Sequence, residues 1–153
     1  MPVKRSFKYY QGKFTPINPK KYGGDVGNIV FRSRWEKLVF KWLDKQPHVV
    51  QWVSEEVVIP YICETDNRPH RYYIDVAFTT SDGSTYLVEI KPERETKKPV
   101  KKGKKKTVQL REGMTYIKNM SKWKAATQFA KQNGAKFEIW TEVTLKKYGI
   151  MKY

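Results

Sequence analysis

A chain of 153 residues is the length of one ordinary domain, and 39% apolar with 14% aromatic content excludes a wholly disordered chain. The 31 Lys and Arg against 15 Asp and Glu leave a net charge of +16, which points to a polyanionic partner, nucleic acid first. No apolar run approaches the ~20 residues of a membrane span, and Met1-Pro2-Val3-Lys4-Arg5 lacks the apolar stretch of a signal peptide.

Residues 1–28 are basic, rich in Gly, Pro and Tyr, and aperiodic, which predicts an arm laid over the body or over DNA. Trp35, Leu38, Val39, Trp42 and Leu43 then follow the stripe of an amphipathic helix. Ser33 and Glu36 have capping-box spacing at its start, and Pro47 marks its end. Residues 49–62 are rich in Val and Ile and predict one or two strands around Pro60. Residues 64–69 predict a turn, and 71–79 a further strand. Ser81-Asp82-Gly83-Ser84 is a tight-turn signal, followed by a strand over 86–91 that Pro92 stops.

The stretch 97–106 crowds lysines around Pro99 and Gly103 and predicts a mobile basic loop with no core-forming content. Helical composition returns over 108–133, with Trp123, Ala126, Phe129 and Ala130 on one stripe and a stop at Asn133-Gly134. A last strand is expected over 136–141, and a basic, frayed tail from Leu145. The organisation is a basic arm (1–28), one domain (29–145) and a tail (146–153). The order of elements predicts an α/β domain with a mixed sheet.

Cys63 is the only cysteine, and His48 and His70 are the only histidines. No intrachain disulfide can form, and three Cys and His fall short of the roughly four ligands of a structural zinc site. The pattern fits a reducing cytoplasmic compartment. It also removes Cys-His, Ser-His-Asp and His-metal chemistry, and leaves carboxylates and lysines as the reactive groups.

Asp75 lies within Tyr73-Ile74-Asp75-Val76-Ala77-Phe78, and Glu89 and Lys91 within Tyr86-Leu87-Val88-Glu89-Ile90-Lys91. A carboxylate in such a run is costly to bury unless it is paired or binds a metal. Strand alternation points Glu89 and Lys91 to one face. Two carboxylates and an ammonium on one face suit phosphodiester hydrolysis. The carboxylates hold Mg²⁺ through oxygen, the metal activates a water, and the lysine orients that water or stabilises the transition state. The competing reading makes Glu89 and Lys91 the polar face of an edge strand and Asp75 a surface residue.

Register separates the two. If Asp82-Gly83 is a two-residue turn, Asp75 faces Ile90 and Glu89 lies on the opposite face. An active site therefore requires an odd-length loop or a bulge in this hairpin. Glu36 has two readings as well, a capping-box glutamate or an acidic group reaching a site beside its helix. Glu55 and Glu56 are either supporting groups or a solvated edge.

Lys97, Lys98, Lys101, Lys102, Lys104, Lys105 and Lys106 directly follow the candidate site and are placed to clamp flanking phosphates. Arg32, Arg34, Arg68, His70 and Arg71 are further candidates for DNA contact. Trp52, Trp123 and Trp140 are expected in the core, while Tyr9, Tyr10 and Tyr22 are the better base-stacking candidates.

Four blocks in order carry a resemblance: Phe31-Arg32-Ser33-Arg34-Trp35-Glu36; Trp52-Val53-Ser54-Glu55-Glu56 with Ile59-Pro60-Tyr61; His70-Arg71-Tyr72-Tyr73-Ile74-Asp75; and Leu87-Val88-Glu89-Ile90-Lys91-Pro92. Together they resemble the head completion nucleases of T-even-type tailed phages. More loosely they are similar to the endonuclease subunit of heteromeric cut-and-paste transposons. Both belong to the restriction-endonuclease-like superfamily, with its Pro-Asp, gap, Asp/Glu-x-Lys pattern.

The resemblance implies a single-domain restriction-endonuclease-like core, a central mixed sheet flanked by helices. It implies Glu36, Asp75 and Glu89 as metal-binding and catalytic carboxylates and Lys91 as the catalytic lysine. The implied cofactor is Mg²⁺, with Mn²⁺ as a substitute. The implied activity is endonucleolytic processing of DNA during phage head completion, in the host cytoplasm or within the virion. Implied partners are DNA and portal, neck or other head proteins, with no membrane and with dimerisation open. The alternatives are a transposon-end or repair endonuclease of the same superfamily, or a non-catalytic DNA-binding head or neck protein. Two departures stand out: Ile74 replaces the usual proline, and Glu95-Thr96 stands where Gln-Thr is typical, a charge that bears on metal affinity if that position orients the site.

Overall fold

The computed structural model describes residues 10–152. A short antiparallel pair, β1 (Gly12–Lys13) and β2 (Val30–Phe31), leads into helix α1 (Arg34–Lys45). Strands β3 (Val49–Ser54), β4 (Val58–Cys63), β5 (Arg68–Tyr73), β6 (Val76–Thr80) and β7 (Thr85–Ile90) follow, then the long helix α2 (Lys106–Gln132), strand β8 (Lys136–Trp140) and the short helix α3 (Glu142–Lys147). The central sheet runs β3-β6-β7-β8, antiparallel except for the parallel β7–β8 pair. Strands β4 and β5 form a hairpin of their own. The expected α/β domain, a central mixed sheet flanked by helices, is the fold observed.

The sheet is covered on both faces, as alternation requires. Val76, Phe78 and Val88 point to one side and pack with Val39, Phe40 and Leu43 of α1, Trp52 of β3 and Leu145 of α3. Ala77 and Leu87 point to the other and meet Trp123, Ala126 and Ala130 of α2, with Ile59, Tyr61 and Tyr72 of the β4–β5 hairpin. Asp75 and Glu89 share the parity of Ala77 and Leu87, so both face the α2 layer. Ser33 Oγ accepts from the Glu36 backbone N–H at 3.1 Å and sets the start of α1.

Several boundaries differ from those expected. The 49–62 stretch breaks at residues 55–57, where Glu55 adopts φ 56°. Pro60 does not interrupt it but sits inside β4 opposite Arg71. A two-stranded hairpin leaves an edge of β4 outside the ladder, where a missing N–H is tolerated. The 71–79 stretch likewise divides at Ile74 and Asp75 into β5 and β6. Helix α2 starts within the lysine run, at Lys106.

The arm and the tail belong to the body more than their composition suggests. Phe14 and Tyr22 are buried in the core shared with α1. Buried Asp44 accepts from the backbone amides of Ile17 at 2.7 Å and Asn18 at 3.0 Å, and ties residues 17–18 to α1. At the other end Leu145 is fully buried and Ile150 nearly so, so the tail is not frayed at its start. Apolar residues scattered among the lysines of so short a segment carry too little periodicity to reveal this. Leu145→Ala is expected to lower stability by about 2–4 kcal/mol, measured as the shift in chemical-denaturation midpoint. A change under about 0.5 kcal/mol would mean the tail is not packed as described.

Candidate active site

The turn between β6 and β7 decides which groups meet. Thr79 pairs with Thr85 and Val76 with Val88, so Thr80 opposes Ser84 across a three-residue loop, Ser81-Asp82-Gly83. The Thr80 N–H donates to Ser84 O at 2.9 Å and the Gly83 N–H to Thr80 O at 2.9 Å. Gly83 has φ 87°, the left-handed geometry such three-residue hairpins place at their last loop position. Asp82 Oδ1 accepts from the Ser84 N–H at 3.0 Å. The odd-length loop that an active site required is present. One residue beyond the paired segment, the same register sets Asp75 opposite Glu89.

The carboxyls of Asp75 and Glu89 lie close enough for one proton to be shared between them. Asp75 Oδ2 also accepts from the Ile90 N–H at 2.8 Å. Glu89 Oε1 accepts from the Tyr72 hydroxyl at 2.9 Å and from Trp123 Nε1–H at 3.3 Å. Glu89 is buried, whereas Asp75 keeps a solvent-facing edge. Burial, and then the adjoining Glu89 carboxyl, push the Asp75 pKa well above the usual carboxylate range. Burial also works to raise Glu89, but the proton shared with Asp75, the Lys91 charge and the Tyr72 and Trp123 donors outweigh it and hold Glu89 below its usual value. Two carboxyls sharing a proton form a pair in which a cation can take the proton's place. The protein's donors hold one oxygen of each group, and the set is entirely oxygen. That donor set fits a hard divalent cation.

Glu36 lies at the edge of this group; Ser33 caps its backbone N–H, but the Glu36 side chain does not close the expected capping box on Ser33. Its Oε1 accepts from the Arg32 N–H at 3.1 Å, just ahead of its own helix. Its pKa is raised, first by burial and also by the charges of Glu55 and Glu89, so it shares their electrostatic neighbourhood. Lys91 extends the β7–β8 ladder through its N–H to Trp140 O at 3.0 Å, and its charge acts on Glu89. The structure thus brings Glu36, Asp75, Glu89 and Lys91 to one end of β6 and β7.

Three neighbours escaped the sequence reading. Tyr72 and Trp123 hold Glu89, and Lys122 Nζ sits 5.3 Å from the Tyr72 ring centroid. Burial lowers the Lys122 pKa, against the opposing charges of Glu89 and Asp75. Trp123 was expected in the core and is there. That its indole N–H also serves Glu89 depends on how α2 docks, which no local pattern reports.

The basic candidates are dispersed. Arg34, Arg68, Arg71, Lys97, Lys98, Lys101, Lys102, Lys105 and Lys106 are exposed. Arg32 pairs with Glu55 at 3.1 Å, His70 with Asp66 at 2.8 Å and Lys104 with Glu112 at 2.7 Å. The first pair gives Glu55 a partner, while Glu56 is exposed. Tyr22 is not available for stacking on bases. It is buried, its ring packs 4.7 Å from Trp52, and its hydroxyl accepts from the Ser54 N–H at 3.1 Å. Tyr10 packs beside Phe31 and remains partly exposed, and Tyr9 lies outside the described residues. Ile74 is accounted for by its N–H, which donates to Val57 O at 3.0 Å, a bond that proline cannot make. Cys63, Asp66 and His70 bring three potential ligand atoms within 4.8 Å of one another, but the His70–Asp66 pair and a 2.9 Å contact from Cys63 Sγ to Thr65 account for that cluster.

The carboxyl pair makes a stability prediction for the metal-free protein. Asp75 keeps a proton in the folded state that the unfolded chain has lost. The folded state therefore binds more protons, and stability falls as pH rises from the ordinary carboxylate range through the raised pKa. Asp75→Asn removes that loss. Above neutral pH in EDTA it is expected to be more stable than wild type by on the order of 1 kcal/mol, roughly 2–4 °C in Tm. Thermal unfolding at several pH values tests this, and a variant less stable than wild type throughout would contradict the arrangement.

A family model described as TnsA-like endonuclease N terminal matches residues 46–142, a span that includes Asp75, Glu89 and Lys91. The chain is also similar to the head completion nuclease of Enterobacteria phage T4, with 42% identity over 144 residues, 92% of this chain and 96% of that protein. With Asp75 opposed to Glu89 and Lys91 just past the end of β7, and with both matches extending over most of the domain, the chain belongs to the TnsA-like endonuclease family.

Proposed function

We propose that this protein is a divalent-metal-dependent DNA endonuclease acting in phage head completion, with Asp75 and Glu89 holding the metal, Glu36 assisting and Lys91 as the catalytic lysine. The observation that carries this reading is the Asp75–Glu89 pair, two carboxyls brought together by the β6–β7 register. Two buried carboxyls side by side cannot both ionise without cost, and a cation in place of their shared proton offsets it. The near-complete match to a relative named a head completion nuclease supports the setting.

Asp75 and Glu89, with Glu36 at their edge, would hold Mg²⁺, or Mn²⁺ in its place. The bound ion would acidify a water and screen charge building on the phosphate. The chain's own groups supply the rest. Tyr72 and Trp123 keep the Glu89 carboxylate ionised and fixed in orientation. The Ile90 N–H fixes the orientation of the Asp75 carboxyl, whose proton a bound cation would displace. Lys91 contributes a positive charge where negative charge accumulates in the transition state. Lys122, partly desolvated beside them, adds to the positive field without a fixed carboxylate partner of its own. The net charge of +16 draws the DNA backbone to the surface, an attraction that weakens as salt is raised.

The test is incubation of purified protein with duplex, single-stranded and branched DNA in Mg²⁺, Mn²⁺ or EDTA. Cleavage is expected with either metal and none with EDTA. Lys91→Ala is expected to lower the rate at least about 100-fold while DNA binding persists. Cleavage that survives in EDTA, or is unchanged in Lys91→Ala, overturns the assignment. Tyr72→Phe should act more mildly and through the metal. The Mg²⁺ concentration for half-maximal cleavage is expected to rise about 10-fold, with the rate recovered at saturating metal.

A further inference from the structure

A cavity lies along the chain that continues from this site. It encloses about 700 Å³ between the chain after Lys91 and the first half of α2. Arg94, Lys97, Lys98 and Arg111 are among its lining residues, together with Tyr116 and Asn119. Lys104 also borders it, but its charge is taken up by Glu112 at 2.7 Å. Glu95 is the other carboxylate in the lining, so cations predominate.

Two features separate this cavity from a merely basic surface. Asn119 is only 6% exposed, and its side-chain amide makes no hydrogen bond among the described residues. Its amide lines the cavity and is not sealed from it, so its donor and acceptor are available to a ligand there. Tyr116, one helical turn before Asn119, offers an aromatic ring in the same lining. The combination of aromatic ring, buried amide and several cations matches the parts of a nucleotide: a base to stack, a base edge with donors and acceptors, and phosphates.

Position adds the link to chemistry. On α2, Asn119 lies three residues before Lys122 and four before Trp123, the spacing of one helix face. Trp123 holds Glu89. From Tyr116 to Trp123 is about 10 Å along the helix axis. Arg94 is the third residue after Lys91. The cavity therefore opens one short step from the proposed cutting site, with both of its walls continuous with it. The concave space holds one nucleotide and is too small for a base-paired helix.

Resting on the nuclease reading above, the geometry points to this cavity as the seat of an unstacked nucleotide from a single-stranded DNA tail next to the cut, with Tyr116 against the base, Asn119 on its edge and Arg94, Lys97, Lys98 and Arg111 on the phosphates. The substrate class that follows is DNA with a frayed or single-stranded segment, as at a junction or an end, in preference to intact duplex.

Binding separates this inference from catalysis. The Lys91→Ala protein is mixed with blunt duplex and with the same duplex carrying a single-stranded tail that contains a fluorescent adenine analogue. Stacking in the cavity is expected to quench the analogue. Tyr116→Leu and Arg111→Gln on the Lys91→Ala background are expected to weaken tailed DNA by about 10-fold and blunt duplex by less than about 2-fold. Tyr116→Trp should restore both affinity and quenching, an outcome that a folding defect would not produce. Equal losses on the two DNAs, or no loss on either, overturn the cavity assignment. Tail-selective binding by a protein that cuts no DNA in any metal would leave the cavity standing and remove the nuclease reading. Cleavage with no tail preference would do the reverse.

Discussion

Everything at the candidate site depends on one odd-numbered loop. A strand shows its side chains with a period of two, so the number of residues in the β6–β7 turn decides which face each carboxylate takes. Three residues, closed by Gly83 at φ 87°, put Asp75 and Glu89 on the same face and opposite each other. A two-residue turn would have left Glu89 against the α2 layer and sent Asp75 toward α1, where Val76 and Phe78 now pack. The apolar residues enforce the same answer. Val76, Phe78 and Val88 can fill the α1 side only in the register that aligns the two acids.

Glu89 then couples the site to the rest of the fold. It is a buried carboxylate on a central strand, which is tolerated because Tyr72 from β5, Trp123 from α2 and Asp75 from β6 all reach it. Three elements distant in sequence therefore converge on one side chain. Removing a donor would leave an under-satisfied buried acid, so each of them carries structural and functional weight together. Helix α2 has a double part here: its Ala126 and Ala130 allow close packing on the sheet, while Lys122 and Trp123, at its middle, address the acids.

The charge of the molecule divides along similar lines. Carboxylates gather at the end of β6 and β7, with Glu36 at the helix edge, while exposed lysines and arginines surround them on the loop after Lys91 and on the first half of α2. A polyanion held by the cations is brought to a spot where only a further cation could offset the acids' repulsion of its phosphates. The same arrangement explains why so basic a chain keeps a small acidic cluster without neutralising it directly. The Arg32–Glu55 and Lys104–Glu112 pairs consume charges at the margin and leave the central group free.

The sequence by itself determined the class of chemistry and most of the elements. Three Cys and His in all excluded zinc and thiol mechanisms. The period-two apolar strands around Asp75 and Glu89 marked both acids as abnormal, and helix periodicity located α1 and α2. The order of the four short blocks was enough to identify the family. Local pattern could not reveal what depends on packing partners. The apolar residues of the arm and tail, Phe14, Tyr22 and Leu145, read as parts of basic segments because each is alone in its neighbourhood, yet each fills a space left by elements far away in sequence. The splits at 55–57 and at Ile74 were hidden because strand composition continues across them, and only sheet geometry decides where a chain must leave one ladder for another. The lengths of the β6–β7 loop and of the α2 docking contact belong to the same category. Asp82-Gly83 permits both an even and an odd turn, and the choice falls to the long-range burial of Val76, Phe78 and Val88, an energy that no stretch of a few residues contains.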